Sequence, residues 1–415
     1  MAINRNTVGF VIVMLLTCSA KASATEQVLS GLLDTRSIYN QSSSYVDGTD
    51  GKFRFQPHAS VALAQLGLVY QLNWDNPFSL HLTANGYIDG VKDKLGVTEG
   101  YLNYSGLPSE KGFRISGRAG FYYPDITFEN FATAWSSPYT LSYSTINSWL
   151  AEETRHAGLR LSLSRLGKFY RSPHDYKLSM DAFWANDTSG AMLAWHGWTL
   201  SSRQSLLGES LPLLLTPALQ PGGALQTQSR NSKPFIELDN QPGISITGSW
   251  RWQGHGEIKA GYYDNRADTR IVSNGQYAWR TQFSHLGGKW RLPGKIQLIA
   301  QYMKGKTLMT SPNLVPMVDL DFEAGSVLLN HRRNVHSFSI RGEAFDITDK
   351  DNVPGDNNSE SGYSLTFSWA YNISKGWYAH IEHNRINSQR EARRYFNNSR
   401  SSQEWQWQIA TRYFF

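Results

Sequence analysis

The sequence predicts an all-β protein whose antiparallel strands run up and down and close into a transmembrane barrel. Aromatic residues make up 13% of the 415 residues, with 14 Trp and 21 Tyr, yet the mean hydropathy is -0.43. These facts are compatible if apolar side chains occupy alternate positions of strands that have lipid on one face and water on the other. After residue 24 no apolar run approaches the roughly 20 residues that a membrane-spanning helix needs. Strands are therefore the predicted way across the membrane.

The last eleven residues show this alternation most clearly. Because successive side chains of a strand point to opposite faces, two different faces result. One face carries Trp405, Trp407, Ile409, Thr411, Tyr413 and Phe415, and the other carries Gln406, Gln408, Ala410 and Arg412. An aromatic face of this kind suits a lipid-facing strand, because Trp and Tyr rings are enriched where acyl chains meet water.

This chain end resembles that of the Gram-negative outer-membrane β-barrels, whose final strand closes with an aromatic residue, usually Phe. The resemblance covers the chain end and, more loosely, the hairpin pattern upstream, so it indicates a class of protein and not a substrate. It implies a place in the cell outer membrane, with lipid, lipopolysaccharide and the barrel-assembly machinery as partners. It also implies that Trp407, Tyr413 and Phe415 form the assembly signal. Whether the barrel assembles as a homotrimer is left open by the resemblance.

The first 24 residues have the layout of a secretory signal peptide. Arg5 precedes a short apolar run over residues 8–16, and small residues follow up to Ala24. We expect cleavage near Ala24, which leaves a single barrel over residues 25–415. Because the one cysteine, Cys18, falls in the segment to be removed, the mature chain is predicted to have neither a disulfide nor a thiol nucleophile.

Strands and turns recur along the rest of the chain. We count between 14 and 18 strands and prefer 16, because roughly 24 residues for each strand with its connection suit this length. In residues 276–286 the alternation predicts Tyr277, Trp279 and Phe283 on the lipid face and Arg280 on the lumenal face. The clearest predicted strands are 61–73, 79–90, 97–104, 113–122, 157–164, 176–186, 276–286, 296–304, 338–345, 362–371, 377–384 and 405–415.

The long stretch 124–155 is the predicted functional segment. It looks like the inward-folded loop of porins, which sets acidic groups against a wall of arginines and so creates a field that filters solutes. A solvated external loop is an equally good interpretation, since lumenal arginines are ordinary in any water-filled barrel. The candidate pore and constriction residues are Arg114, Arg118, Glu152, Glu153, Arg160, Arg251, Arg280, Arg341 and Arg412.

Catalytic and metal motifs are weak in this sequence. It contains no G-x-S-x-G, no H-E-x-x-H and no phosphate loop. In the run His380-Ile381-Glu382-His383, a strand would place His380 and Glu382 on one face and His383 on the other, which leaves too few converging ligands for a metal site. We therefore expect no enzyme, no metal and no cofactor. A Ser-His-Asx triad assembled from separated strands stays open, since such triads are recognised by geometry.

These observations predict an outer-membrane porin, a water-filled channel for passive diffusion of small hydrophilic solutes. The alternative within the class is an anion-selective, phosphate-type channel, based on the arginines of the polar faces. A barrel hydrolase and a plugged barrel that serves as a surface or assembly component remain from other classes. Nucleic acid is not an expected partner, because the formal charge of +6 is small and no dense basic patch is present.

Overall fold

A computed structural model describes residues 24–415, with side chains from residue 26 onward. In this part of the chain sixteen antiparallel strands close into one barrel, in chain order, and the last strand pairs with the first. The predicted fold class and the preferred strand number are confirmed. The predicted leader lies outside the described residues, apart from the backbone of Ala24.

The barrel strands have the following bounds. They are β1 (Ala24–Asn40), β2 (His58–Trp74), β3 (Phe78–Ile88), β4 (Lys94–Ser105), β5 (Phe113–Tyr122), β6 (His156–Arg165), β7 (His174–Trp184), β8 (Gly243–Trp252), β9 (Gly256–Asp264), β10 (Trp279–Leu292), β11 (Ile296–Thr310), β12 (Pro316–Arg333), β13 (His336–Asp349), β14 (Glu360–Ser374), β15 (Trp377–Arg390) and β16 (Ser401–Phe414). Two α-helices lie in connections, α1 (Thr145–Glu153) and α2 (Ala191–His196).

Shorter elements complete the connections. They are two-residue strand pairs, Leu211–Pro212 with Asn231–Ser232 and Val272–Ser273 with Gln276–Tyr277, and 3-10 turns at Tyr45–Asp47, Thr133–Trp135, Gly167–Tyr170, Pro217–Leu219, Pro293–Lys295 and Glu391–Phe396. Among the residues described, no helix is long and apolar enough to cross a membrane.

The two ends of the barrel differ in their connections. At one end, the short-turn end, strands are joined by segments such as 253–255, 334–335 and 375–376. At the other end, the long-connection end, the segments include 123–155 and 185–242. Outer-membrane barrels have this division, with short turns at one end and long loops at the other.

The closing strand has the two faces that its sequence predicts. Trp407 and Phe415 are 48% and 49% exposed on the outside of the barrel, whereas Gln408 and Arg412 are buried inside it. At the seam Gly31 and Phe415 exchange backbone hydrogen bonds of 2.9 and 3.1 Å. A side chain at residue 31 would meet the Phe415 ring, since a Cβ there would lie 2.2 Å from it. Glycine therefore lets the terminal ring lie flat across the first strand.

Replacing both Tyr413 and Phe415 with serine is expected to lower the amount of assembled barrel strongly. These rings lie on the outer surface of the closing strand, in contact with the seam and away from the lumen. The measurement is the fraction of heat-modifiable protein in the membrane. Thr411→Ser, on the same face of the same strand, is the control and should assemble normally. Normal membrane levels of the double variant would contradict the assembly role.

The outer surface of the barrel is apolar over most strands. Leu159, Leu161 and Leu163 alternate outward along β6, and Phe338 and Ile340 do so along β13. The polar residues between them face the lumen. Each lies opposite a lumen-facing residue of the neighbouring strand. A surface of this kind is what a lipid-embedded barrel requires.

One predicted pair of faces is reversed. In β10 the side chains of Trp279 and Phe283 are 1% exposed and point into the barrel. Arg280 points outward, where its guanidinium pairs with Asp264 at 3.1 Å with half of the side chain exposed. The physical reason is that the long-connection half of the lumen contains an apolar core instead of water, so its wall must be apolar. A period of two gives the faces of a strand but not which face is inside.

The first strand, β1, is absent from the sequence-based strands. Its outward side chains are a mixture of apolar and polar residues, so the alternation in its sequence is weak. Its pairing with β2 also shifts register between Asp34 and Thr35. By contrast β5 has the bounds that the alternation predicts, 113–122.

Candidate functional site

Two long connections fold into the barrel and fill it. Every residue of 140–156 is buried, and so is every residue of 186–206. We call residues 123–155 the first inner connection and residues 185–242 the second inner connection, and the two together the plug. Since 124–155 lies inside, the external-loop interpretation of this segment is wrong.

The first inner connection is organised around the carboxylate of Glu129. Asn147 Nδ2 donates to it at 2.7 Å and the Ser144 N–H donates at 3.2 Å. Ser144 is also the N-cap of α1, where its hydroxyl accepts from the Asn147 N–H at 3.3 Å. A serine in this position satisfies one of the free N–H groups of the first helical turn. The sequence around Ser144 therefore starts α1, and Glu129 fixes that start to the rest of the connection.

Charged side chains of the barrel wall hold this connection by its backbone. Arg341 of β13 pairs with Glu129 at 2.6 Å and donates to the carbonyls of Ser142 and Tyr143, both at 2.9 Å. Glu382 of β15 accepts the N–H groups of Leu141 and Ser142 at 2.5 and 2.9 Å. Because hydrogen bonds to charged groups contribute roughly 1.5–3 kcal/mol each, these residues set the position of the loop.

Two further wall contacts extend the same attachment. Glu343 of β13 accepts the N–H of Thr145 at 2.6 Å, at the start of α1. Arg412 of β16 donates to the carbonyl of Ser137 at 2.8 Å. These contacts come from neighbouring strands on one side of the barrel. Asp125 attaches the same connection to the far side through one lysine on each of β7 and β9.

The two glutamates at the end of α1 join the inner connections. Glu153 accepts N–H groups of Gly190 and Met192 at the start of α2, at 3.0 and 2.9 Å, and the indole N–H of Trp149 at 2.7 Å. Burial raises the pKa of Glu153 to about 7, although these three donors lower it. The Tyr45 hydroxyl donates to Glu152. Burial, followed by the charge of Glu153, raises the pKa of Glu152 to about 8.

An apolar core fills the long-connection half of the lumen. Trp149 lies 5.5 Å from Phe283 and 5.2 Å from Phe322, measured between ring centroids, and Trp195 lies 5.1 Å from Trp279. The first residue of each pair belongs to the plug and the second to the wall. Burying side chains of this size stabilises the filled state by roughly 1.5–3 kcal/mol each. This half of the barrel is therefore dry.

Below the plug, toward the short-turn end, the lumen is lined by cations. Asp125 of the first inner connection pairs with Lys259 at 2.6 Å and with Lys177 at 3.3 Å. Burial works against ionisation of Asp125, but Lys259 and Lys177 hold its pKa well below its usual range. Phe131 is 57% exposed on the underside of the plug, and the Lys289 ammonium lies 3.9 Å from its ring centroid. We call this partly exposed chamber the vestibule; its cations are Arg114, Arg118, Arg160, Lys177, Lys259 and Lys289.

The structure brings together three of the predicted arginines. Arg118 of β5 lies directly opposite Arg160 of β6, and Arg114 lies on the same face four residues earlier. Arg160 pairs with Asp181 at 2.7 Å. The Arg118 guanidinium carbon lies 4.1 Å from the centroid of the Tyr101 ring.

The predicted glutamates do not face these arginines. Glu152 and Glu153 are buried on the side of the plug that contacts Tyr45 and α2, so the predicted opposition across a gap is not formed. The reason is that α1 turns its last turn toward the second inner connection. Asp125 and Glu129 are the acids of this stretch that meet cations of the wall. Nothing in the sequence pattern favours Asp125 or Glu129 over Glu152 as a partner for the cations of the wall.

The four remaining candidate arginines lie in three different settings. Arg341 and Arg412 are buried in the lumen and anchor the plug. Arg251 lies on the lumenal face at the short-turn end and pairs with Glu257 at 2.7 Å. Arg280 faces outward and does not line the lumen. Of the histidine run, His380 is buried inside the barrel, while His383 lies on the outside, 4.4 Å from the Trp407 ring.

One group of carboxylates has the proximity that metal ligands need. One oxygen each of Asp187, Glu237 and Asp239, in the second inner connection, lie within 4.8 Å of one another. Burial and the charges of Glu237 and Asp239 raise the pKa of Asp187 to about 7. The Leu238 N–H donates to Asp187 at 2.5 Å, so this carboxylate already has a structural partner.

Comparison with known proteins identifies the fold. No family model matches the sequence, and no curated protein matches it. Among solved structures, the chain is similar to the outer membrane channel DcaP of Acinetobacter baumannii, with 10% identity, 94% of this chain and 97% of that chain covered, and a TM-score of 0.56. It is also similar to Pseudomonas putida OprB, with 10% identity, 98% and 97% coverage and a TM-score of 0.50. Salmonella typhi OmpF gives 12% identity, 94% and 97% coverage and a TM-score of 0.50. The fold is thus that of the sixteen-stranded outer-membrane porins.

Proposed function

We propose that this protein is a porin-type channel of a Gram-negative outer membrane, which passes small hydrophilic solutes and is closed in the present conformation by its plug. The proposal is supported by the apolar outer surface, the porin-type fold and the outward aromatic side chains of the closing strand. The observation that carries it is the vestibule, a partly exposed, cation-lined chamber inside a closed barrel. A barrel with no role in solute passage has no need of such a chamber.

The mode of attachment of the plug supports opening. On the lumenal wall of β13 and β15 the first inner connection is held by charged side chains such as Arg341 and Glu382. Water can replace such polar contacts when the loop moves, whereas apolar contacts lose their stabilisation outright. The segment before α1, residues 123–144, is therefore the part of the plug that we propose moves.

A preference for anions follows from the charges of the vestibule. Lys177 and Lys259 are balanced by Asp125, and Arg160 by Asp181. Within the described part of the chain, Arg114 and Arg118 have no ion-pair partner. Uncompensated charge in a narrow chamber with low-dielectric walls concentrates counter-ions, so anions should enter more readily than cations.

A permanently plugged barrel is the second candidate. The observation that favours it is the depth of the apolar core, in which residues of the second inner connection such as Trp195 and Trp198 are fully buried. In that case the protein would serve the outer membrane as a surface or assembly component.

Solute flux into liposomes separates these candidates. We expect slow uptake of an uncharged pentose and faster uptake of gluconate through the wild type. Replacing residues 186–206 by a short Gly-Ser segment should raise both rates. The matched control replaces residues 311–315, a connection between β11 and β12 outside the lumen, and should leave them unchanged. Heat-modifiability checks assembly of each variant. No uptake of either solute through the assembled wild type, together with uptake of both through the 186–206 variant, would identify a permanently plugged barrel and overturn the channel proposal.

A further inference from the structure

The wall of the vestibule places two arginines face to face. In one row across four strands lie Asn103 of β4, Arg118 of β5, Arg160 of β6 and Asp181 of β7, each directly opposite the next. Like charges directly opposite on neighbouring strands destabilise a sheet. Asp181 compensates Arg160, to which it pairs at 2.7 Å. Among the described residues Arg118 has no ion pair, and the acid whose charge acts on it is Glu99 of β4, which lies farther away than an ion pair would.

This part of the wall has more hydrogen-bond donors than acceptors. Arg118 makes neither a hydrogen bond nor an ion pair to any residue that the structure describes. Arg160 Nη2 and Arg114 Nε are enclosed and have no acceptor there either. The nearby acid Glu99 accepts the Tyr123 N–H at 3.3 Å. Since an enclosed donor without an acceptor is destabilising, an additional acceptor at this place would stabilise the wall.

Aromatic rings fix the orientation of Arg118. Its guanidinium carbon lies 4.1 Å from the Tyr101 centroid and 5.3 Å from that of Tyr122. Tyr101 in turn stacks on His81 at 4.9 Å with 12° between the planes. The Tyr122 hydroxyl donates to Asp181 at 3.1 Å. Contact through the face of a guanidinium leaves its N–H edge free, so Arg118 presents a fixed fork of donors.

The fork is accessible from the short-turn end. Arg118, Tyr101 and Asn103 are partly exposed, whereas wall residues nearer the plug, such as Asn85 and Thr98, are buried. The chemistry that matches a fixed guanidinium fork is a carboxylate or a phosphate, which can accept two parallel N–H bonds.

We propose that Arg118, held by Tyr101 and assisted by Arg160, forms a binding site for the carboxylate or phosphate group of a small solute in the vestibule. The site rests on the proposed function in one respect, because a channel brings such solutes to the vestibule. It names the substrate class as oxyanions, which goes beyond a general preference for anions.

Calorimetry on the whole, detergent-solubilised protein tests the site without any conduction. Inorganic phosphate and succinate are titrated separately at pH 7 and constant ionic strength. We expect saturable binding of at least one of them, weakened roughly tenfold or more by Arg118→Gln, since a charge-assisted bond is lost. Arg118→Lys keeps the charge but loses the fork and should also weaken binding. Arg280→Gln is the matched control, because Arg280 lies on the outer face, and should bind like the wild type.

Tyr101→Leu provides an independent variant should Arg118→Gln fail to assemble. It removes the ring that orients the fork but no charge, and we expect a smaller loss of affinity. Binding of phosphate alone, or of succinate alone, supports the site and identifies the oxyanion it selects. Equal affinities of the wild type and Arg118→Gln, or no saturable binding of either anion to the wild type, would overturn it. Binding by a barrel that never passes solute would overturn the channel and leave this site standing.

Discussion

Replacing Arg341 with glutamine is expected to open the barrel. The Arg341 side chain is fully buried and serves two carboxylates, Glu129 at 2.6 Å and Glu343 at 2.8 Å. It also holds the backbone of the first inner connection through Ser142 and Tyr143. Removing one partner of a buried ion pair costs roughly 3–5 kcal/mol, because the remaining charge has lost its counterpart. The sixteen strands stay paired in the closed barrel. The substitution therefore destabilises the position of the plug inside the barrel and not the barrel itself.

Single-channel recording in planar bilayers measures this effect. A destabilisation of that size raises the ratio of open to closed channels by roughly 100-fold or more, since each 1.4 kcal/mol is a factor of ten. Arg280→Gln removes an arginine of the neighbouring outer surface and should behave like the wild type. An assembled Arg341→Gln barrel with the conductance of the wild type would show that this contact does not hold the channel closed.

Raising the pH from 6.5 to 8 is expected to loosen the plug. Burial raises the pKa of Glu152 to about 8. A raised carboxyl pKa means that the seated plug favours the protonated form. The stabilisation that protonated Glu152 gives the plug is fully present at a pH below its ordinary pKa of 4.5. It is lost as the pH rises through 8. The charged and titratable groups that face Glu152 are Tyr45, Glu153, Arg203 and Glu209. Glu153, with its pKa raised to about 7, acts in the same direction.

Other buried groups limit the useful pH window. The pKa of His196 is lowered to about 4 by burial. The stabilisation that neutral His196 gives the plug is therefore present above pH 6.5 and is lost as the pH falls through 4.

Between pH 6.5 and 8 Glu152, Glu153 and Asp187, with pKa values raised to about 8, 7 and 7, all act in the same direction. The open-to-closed ratio should therefore rise by at least about tenfold per pH unit. Glu152→Gln keeps an acceptor for Tyr45 and should flatten this rise. Glu110→Gln, in a short turn, is the control. An unchanged slope in Glu152→Gln would exclude this group as its source.

The sequence is sufficient to predict the barrel because the alternation is a local property of each strand. The faces of β5, β13 and β16 follow directly from it. These features depend on nearest neighbours along the chain or the sheet.

The filling of the lumen could not be predicted in the same way. Whether Trp279 faces lipid or lumen depends on Trp195, which lies in a connection far away in the sequence. The partner of Glu153 is the start of α2 and not the arginine wall, because α1 and α2 meet inside the barrel. Contacts of this kind are set by tertiary packing, and they override the rule that the lumenal face is polar.

Chemical labelling tests most directly whether the plug fills the barrel in solution. Ala194 in α2 is fully buried, and Cys18 is the one cysteine of the sequence, so Ala194→Cys with Cys18→Ser provides a single reporter thiol. Ser399→Cys, in the exposed connection between β15 and β16, is the control in the same background. A plug that fills the lumen predicts that a charged maleimide labels residue 399 rapidly and residue 194 only after the barrel is unfolded by heat. Equal labelling rates at the two positions in the native barrel would contradict it.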